Sequence, residues 1–342
     1  MNIVIIGCGL IGRKRALALD DKDKLIACCD TNSEAAEAFG REFSCKTFSD
    51  YKKMFSETEF EAVVVAVVNK YIKEITIDVL KLEKNVIAEK PLGRNAGESR
   101  NIINALEEWK KGGMRNSNIP VLKTGFNHRF HPAVWQAKKM LDNGDIGRPF
   151  NIRARYGHGG RPGMEKEWRA SKDLCGGGEM LDQGVHIIDL IRWFGGEIKE
   201  VFGKVETKFW PLEVEDNAMA ILKTEKNVSA SLHVSWTNWK NIFSFEVFGT
   251  DGYLRIEGLN GSYGAETLEF GKRKPEGGKP GIKIFEFPPE DISWKKEWQE
   301  FKTAILEKRD VIGNGYDGLK ANEVIEAIYI SDKESKVIKI SK

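Results

Sequence analysis

The sequence predicts an α/β plus α+β chain of two domains: a parallel sheet wrapped by helices over residues 1–125, then a domain on a mostly antiparallel open sheet over residues 126–342. Three observations predict it. The chain has 342 residues, and a single hydrophobic core stops growing near about 250–300 residues. In the first part, short β-branched runs alternate with longer amphipathic stretches, the pattern of βαβ units. After Pro132, alternating and aromatic-rich runs follow one another with few helices between them, the pattern of antiparallel pairing.

Composition narrows the function. Apolar residues at 41% and charged residues at 30% are ordinary for a globular protein and exclude disorder and fibrous repeats. Fifty-three basic residues against 51 acidic ones leave a net charge of +2, too weak a field for a nucleic-acid partner. The longest apolar run, residues 62–68, is far short of the roughly 20 residues that cross a bilayer, so no membrane partner is expected. The opening Met-Asn-Ile-Val-Ile-Ile lacks a basic stretch and soon meets Gly7, unlike a secretory signal, which predicts a cytoplasmic location. The five cysteines are an odd number without a C-x-x-C pair and are expected to be reduced packing residues.

Taken in order, the first domain has strand signals at residues 2–6, 25–29, 62–68, 86–88 and 121–124, each a short β-branched or apolar run. Helical periodicity falls between them at 11–19, 33–42, 72–82 and 98–109, and a polar break at 110–118 reads as a solvent loop. In the second domain a helix is expected at 133–142, a strand at 150–156, then a glycine-rich loop and one long helix over 179–194. Strands follow from 201 to 287, including 228–236 and 243–248. Residues 271–281 read as a mobile connection, and helices at 294–307 and 318–330 close the chain.

Gly7-Cys8-Gly9-Leu10-Ile11-Gly12 directly follows the first strand and opens a helix, the context in which G-x-G-x-x-G binds a dinucleotide. Gly7 permits a tight turn, Gly9 lets the backbone approach a pyrophosphate, and Gly12 lets helix and strand pack closely, which defines a Rossmann domain. Helix N–H groups at Leu10 and Ile11 complete the anion site. Asp30 closes the second strand near the spacing of about 20 residues at which an acid accepts ribose hydroxyls. Because Asp30 repels a 2′-phosphate and no Arg follows it, NAD is expected rather than NADP. The competing reading makes Asp30 merely the N-cap of the next helix.

Two further constellations carry chemistry. Glu89-Lys90-Pro91 follows a buried strand, so Glu89 and Lys90 belong at the carboxyl edge of the sheet, where ligands bind. Beside a cationic ring a lysine favours its neutral form and exchanges protons with a hydroxyl; the plainer reading is a surface lysine. On the helix over 179–194, Asp182, His186, Asp189 and Trp193 share one stripe at about 100° per residue, with apolar residues around most of the rest. Such a stripe faces hydrogen-bonding partners or a cleft. Gly176 to Gly178 before it are expected to admit a ligand to the backbone. His186 is then a general acid or base oriented by Asp182. A zinc site of His186, Asp182 and Asp189 lacks further ligands at metal spacing, so no metal is expected. Asn127 and His128, with His158, Trp168 and Arg169, are candidate substrate contacts, and Arg155, Arg161 and Arg169 leave an anionic sugar open. His233, alternating in a strand, needs no role.

These residues resemble the Gfo/Idh/MocA family of oxidoreductases across essentially the whole chain. The resemblance rests on Gly7 to Gly12, Asp30, Glu89-Lys90-Pro91, the segment Gly125-Phe126-Asn127-His128-Arg129-Phe130, Gly147-Arg148-Pro149, and Asp182 with His186. It implies a catalytic trio of Lys90, Asp182 and His186, oxidation of a secondary hydroxyl of a sugar, cyclitol or nucleotide sugar, and homodimers or homotetramers formed through the open face of the second sheet. Where many members carry Thr-Pro-Asn with a His three residues later, this chain has Val67-Val68-Asn69 and Ile72, leaving Asn69 as a cofactor contact. The expectation is hydride transfer to NAD at a crevice where Lys90 and His186 converge. Its rivals are a glycosidase or epimerase using transient oxidation, and a sensor that binds NAD and sugar without turnover.

Overall fold

The computed structural model describes residues 1–112 and 119–340. The chain falls into two compact units: Met1–Phe126 with Trp294–Lys320, and Asn127–Ser293 with the residues from Ala321 onward. In chain order the first unit carries β1 (Asn2–Ile6), α1 (Leu10–Leu17), β2 (Lys24–Cys29), α2 (Ser33–Phe43), β3 (Lys46–Phe48), α3 (Tyr51–Glu57), β4 (Ala62–Val65), α4 (Asn69–Lys81), β5 (Asn85–Ala88), α5 (Ala96–Gly112) and β6 (Leu122–Thr124). The strands pair in the order β3-β2-β1-β4-β5-β6, all parallel. That is the doubly wound dinucleotide-binding order, whose ligand crevice lies at the carboxyl ends of β1 and β4.

Both faces of this sheet are covered, so its strands read as continuous apolar runs. Val4, Ile6, Val63 and Val65 pack with Met54, Ile75 and Val79 on one face, while Ile3, Ile5, Cys28 and Val64 pack with Ala16 and Phe39 on the other. The run over 62–68 is strand only to Val65, because Val68 already caps α4. The short β3 and the seven-residue α3 escape sequence reading because neither is long enough to show a period. The polar break expected over 110–118 is helix up to Gly112; its remainder lies outside the described residues.

The second unit contributes α6 (Pro132–Asp142), β7 (Pro149–Gly157), α7 (Lys172–Cys175), α8 (Glu179–Asp182), α9 (Gly184–Gly195), β8 (Ile198–Glu206), β9 (Asn217–Thr224), β10 (Ser229–Ser235), β11 (Ile242–Gly249), β12 (Gly252–Glu257), β13 (Thr267–Lys272) and β14 (Gly281–Glu286). Helices α10 (Ser293–Glu307) and α11 (Gly315–Glu334) and strand β15 (Ile338–Lys339) follow. The strand order is β14-β13-β12-β11-β7-β10-β9-β8-β15, antiparallel except for the parallel pair β7 and β10. Helix α9 lies on β7 and β10, α6 lies on β12 and β13, and Ile328 of α11 meets Gly203 of β8. The opposite face exposes Phe202, Met219 and Ile221 beside Arg153 and Arg155.

Three expectations change. The long helix over 179–194 breaks at Gln183 into α8 and α9. The stretch 271–281 is the closing part of a hairpin, since Gly271 pairs in β13 and Gly281 begins β14. The expected boundary at 125/126 is not the only one, because most of α10 returns to the first unit. Trp298 and Phe301 are buried there with Ile3 and Ile5, completing a face that α1 and α2 alone leave uncovered. Cys8, Cys28, Cys29 and Cys45 are free thiols. Burial first, then Asp30 and Asp50, pushes the Cys29 thiol up to about 12, so it stays protonated and inert. Among the described residues, no helix is long and apolar enough to cross a membrane.

Candidate active site

The glycine-rich turn has the geometry a dinucleotide requires. Gly7 adopts φ +99°, and a Cβ there would lie 2.2 Å from the Ala66 carbonyl oxygen, so only glycine fits. A Cβ on Gly12 would lie 1.9 Å from the Gly7 oxygen, whereas one on Gly9 would meet nothing within 4 Å. Gly9 therefore borders open space at the start of α1, with Leu10 exposed and Ile11 half-buried beside it. Asp30 accepts the Cys8 N–H at 2.8 Å and the Asn32 N–H at 2.9 Å. The cap of α2 is Asn32, whose Oδ1 accepts the Ala35 N–H at 3.1 Å, so Asp30 is not spent as a helix cap. An open backbone approach, a helix N-terminus and an anchored acid at the second strand fit NAD. Asn69 is buried at the first position of α4.

Lys90 is half-buried at the carboxyl edge of this sheet, just past β5, and the Lys90–Pro91 peptide is cis. Glu89, expected at the cofactor, has its carboxylate turned to α1, where it accepts the Arg15 Nε–H at 2.7 Å. Arg15 also pairs with Glu297, and Glu297 lies 3.2 Å from the Lys123 ammonium. These two acids and two bases are all buried, and each charge has a partner, which burial demands. Burial works against the Arg15 charge, yet attraction to Glu297 and Glu89 outweighs it and raises its pKa. Glu89 thus braces the strand end that carries Lys90.

In the second unit the Asp182–His186 spacing survives the break at Gln183. Asp182 is half-buried and lies 3.4 Å from Arg169; His186 is buried. The His186 ring stacks on His128 with centroids 3.7 Å apart and planes at 20°. Tyr156 packs against both rings, at 5.2 Å from His128 and 6.4 Å from His186. Burial, reinforced by Tyr263 and Glu179, pushes the Tyr156 hydroxyl well above its ordinary value, so it stays a neutral donor. The Gln183 amide donates to the Tyr263 hydroxyl at 2.9 Å, while its buried Oε1 has no hydrogen-bond partner among the described residues.

Asp189 leaves the polar stripe: both its oxygens are held by Arg129, at 2.8 and 2.6 Å. Two of the three glycines before α8, Gly177 and Gly178, also serve another end. A Cβ on Gly177 would lie 2.3 Å from the Tyr329 hydroxyl, and one on Gly178 would lie 1.9 Å from the Glu215 oxygen. They admit neighbouring protein atoms, not a ligand, and the Glu215 carboxylate takes the N–H groups of Gly178 and Met180 at 3.0 and 3.2 Å.

The other expected contacts divide. His128 joins His186, but Asn127 is engaged at both ends, donating to Ser293 Oγ at 3.0 Å and meeting His128 Nδ1 at 3.1 Å. His158 Nδ1 accepts the Gly160 N–H at 2.9 Å. Burial, with Arg161 and Arg169 adding and Asp182 opposing, lowers the His158 pKa. Arg169 covers a face of Trp168 at 4.4 Å, so that face is not open to a sugar. Arg161 is paired with Glu167 at 2.9 and 2.7 Å. Arg155 projects from the opposite side of β7 to Tyr156. Sequence reading missed Tyr156, Tyr263 and Gln183. Only Gln183, on the helix between the two singled-out residues, carried a signal that could have found it.

Residues 1–114 match the family model of oxidoreductases with an NAD-binding Rossmann fold, and residues 134–255 match that of the GFO/IDH/MocA C-terminal domain. The chain is 27% identical over 297 residues to levoglucosan dehydrogenase of Pseudarthrobacter phenanthrenivorans, across 74% of this chain and 73% of the relative. It is 28% identical over 288 residues to myo-inositol 2-dehydrogenase of Thermotoga maritima, across 80% of each. A solved levoglucosan dehydrogenase in complex with NADH and levoglucosan shares the fold with a TM-score of 0.88 at 23% identity, covering 100% of both chains.

Proposed function

We propose that this chain, which belongs to the Gfo/Idh/MocA family of oxidoreductases, is an NAD-dependent dehydrogenase acting on a secondary hydroxyl of a sugar, cyclitol or nucleotide sugar. The observation that carries this reading is the Asp182–His186 pair, with the imidazole buried against His128 and Tyr156. The relatives named as levoglucosan and myo-inositol dehydrogenases support the substrate class.

Gly7, Gly9 and Gly12 with the N–H groups of Leu10 and Ile11 hold the pyrophosphate, and Asp30 receives the ribose hydroxyls. Asn69 lines the same site. When bound, NAD supplies the hydride acceptor. His186 takes the hydroxyl proton, Asp182 holds the imidazole in place, and Lys90 stabilises the developing alkoxide. Asp182 is itself steadied by Arg169. Copies of the chain are proposed to associate through the open sheet face.

Lys90→Ala and His186→Ala are each expected to lower turnover about 100-fold or more while NAD still binds. Unchanged turnover in both variants removes the assignment. A panel of free and nucleotide-linked sugars, followed by absorbance at about 340 nm, identifies the substrate. Net accumulation of NADH separates a dehydrogenase from an enzyme that uses transient oxidation.

A further inference from the structure

Outside the residues already assigned, the second unit presents two large aromatic rings to water. Phe209 is 60% and Trp239 64% exposed, and they meet edge to face with centroids 4.8 Å apart. Single exposed hydrophobic residues need no explanation, but a paired aromatic patch marks a binding surface. Trp239 sits at φ +57°, a region that a bulky side chain avoids. Backbone strain of this kind concentrates at functional positions.

The pair borders the loop that carries His158. A Cβ on Gly159 would lie 3.1 Å from Trp239 Cα, and one on Gly160 would lie 2.4 Å from Trp210 Nε1. The Asn238 N–H donates to the His158 carbonyl at 3.1 Å. Trp210 meets Phe209 at 5.1 Å and donates through Nε1 to the Trp236 carbonyl at 3.0 Å. The Trp236 ring in turn faces His158 at 6.2 Å. Aromatic residues, joined by ring contacts and by the Trp210–Trp236 hydrogen bond, therefore link the exposed pair to His158, whose ring feels the charges of Asp182 and Arg169.

We propose that Trp239 and Phe209 form a platform for a second, non-reacting sugar ring, so that the substrate is a glycoside or disaccharide larger than one ring. The proposal rests on the sugar-dehydrogenase reading above. An indole face packs against the apolar C–H face of a pyranose. A phosphate-bearing occupant fits less well, because Arg161 and Arg169 are paired with Glu167 and Asp182 and Arg155 lies across the sheet.

The test measures binding of cellobiose, maltose and glucose by calorimetry, with NAD bound to the full-length protein. The wild type is expected to bind at least one disaccharide about tenfold more tightly than glucose. Trp239→Gly, which relieves the backbone, and Phe209→Ala are expected to erase that preference, with disaccharides losing more affinity than glucose. Trp239→Phe retains part of it. No preference in the wild type, a preference that survives both variants, or tighter binding of UDP-glucose than of either disaccharide overturns the proposal. So does a fall in oligomer mass on Trp239→Gly, which assigns the patch to a second copy of the chain. A preference without NADH formation on any sugar leaves the platform standing and removes the dehydrogenase reading, whereas turnover without the preference does the reverse.

Discussion

Arg129 and Asp189 are both buried and joined by two hydrogen bonds. Asp189→Ala takes the two-point partner from a buried guanidinium and is expected to destabilise the fold by about 3–5 kcal/mol, read from the denaturant midpoint; the double variant Arg129→Met/Asp189→Ala recovers much of that. His158 and His233 respond to acid. Burial is the main cause in both, with Arg155 adding to it at His233, and both pKa values fall below the ordinary 6.5. The folded state thus favours neutral rings: their contribution is complete above that value and is lost as pH falls through the lowered one. Melting temperature is expected to drop as pH falls below about 6.5. His158→Gln/His233→Gln flattens that part of the curve, and an unchanged slope refutes the assignment.

The turn between β1 and α1 separates what holds the protein from what holds its ligand. Gly12→Ala drives a methyl into the Gly7 carbonyl and is expected to lower thermal stability sharply. Gly9→Ala meets no protein atom and has φ −77°, ψ −168°, which alanine adopts freely. It is expected to leave the melting temperature nearly unchanged while weakening NAD binding, as titration of the intrinsic fluorescence reports. This element was legible in the sequence because its glycines, strand and acid are close along the chain. Asp182 and His186 were legible for the same reason, lying one helical turn apart. Tyr156 and Tyr263 were not: strand pairing in β7 and the turn after β12 bring them together, and neither leaves a local period. Gly177 and Gly178 misled because crowding by distant Tyr329 and Glu215 looks, in sequence, the same as room for a ligand.

At the scale of the whole chain, the open sheet face and the divided first unit matter most. Phe202 and Ile221 are register partners on adjacent strands, with Met219 nearby, and all three are exposed. Phe202→Asp/Ile221→Asp is expected to convert an oligomer to monomers in light scattering; an unchanged mass places the interface elsewhere. The division of the first unit bears on how the protein is made. The ribosome completes all six parallel strands early, yet the residues that seal their second face, Trp298 and Phe301, emerge only after strands β7 to β14 of the second unit. Until then the nascent Rossmann sheet carries an oily side that α1 and α2 cover only in part. A polypeptide ending at Phe126 is accordingly expected to aggregate or bind a hydrophobic dye, and supplying the α10 segment in trans to quench that signal. Here a later segment finishes what an earlier one starts, so truncations ahead of α10 damage the first-made part of the fold.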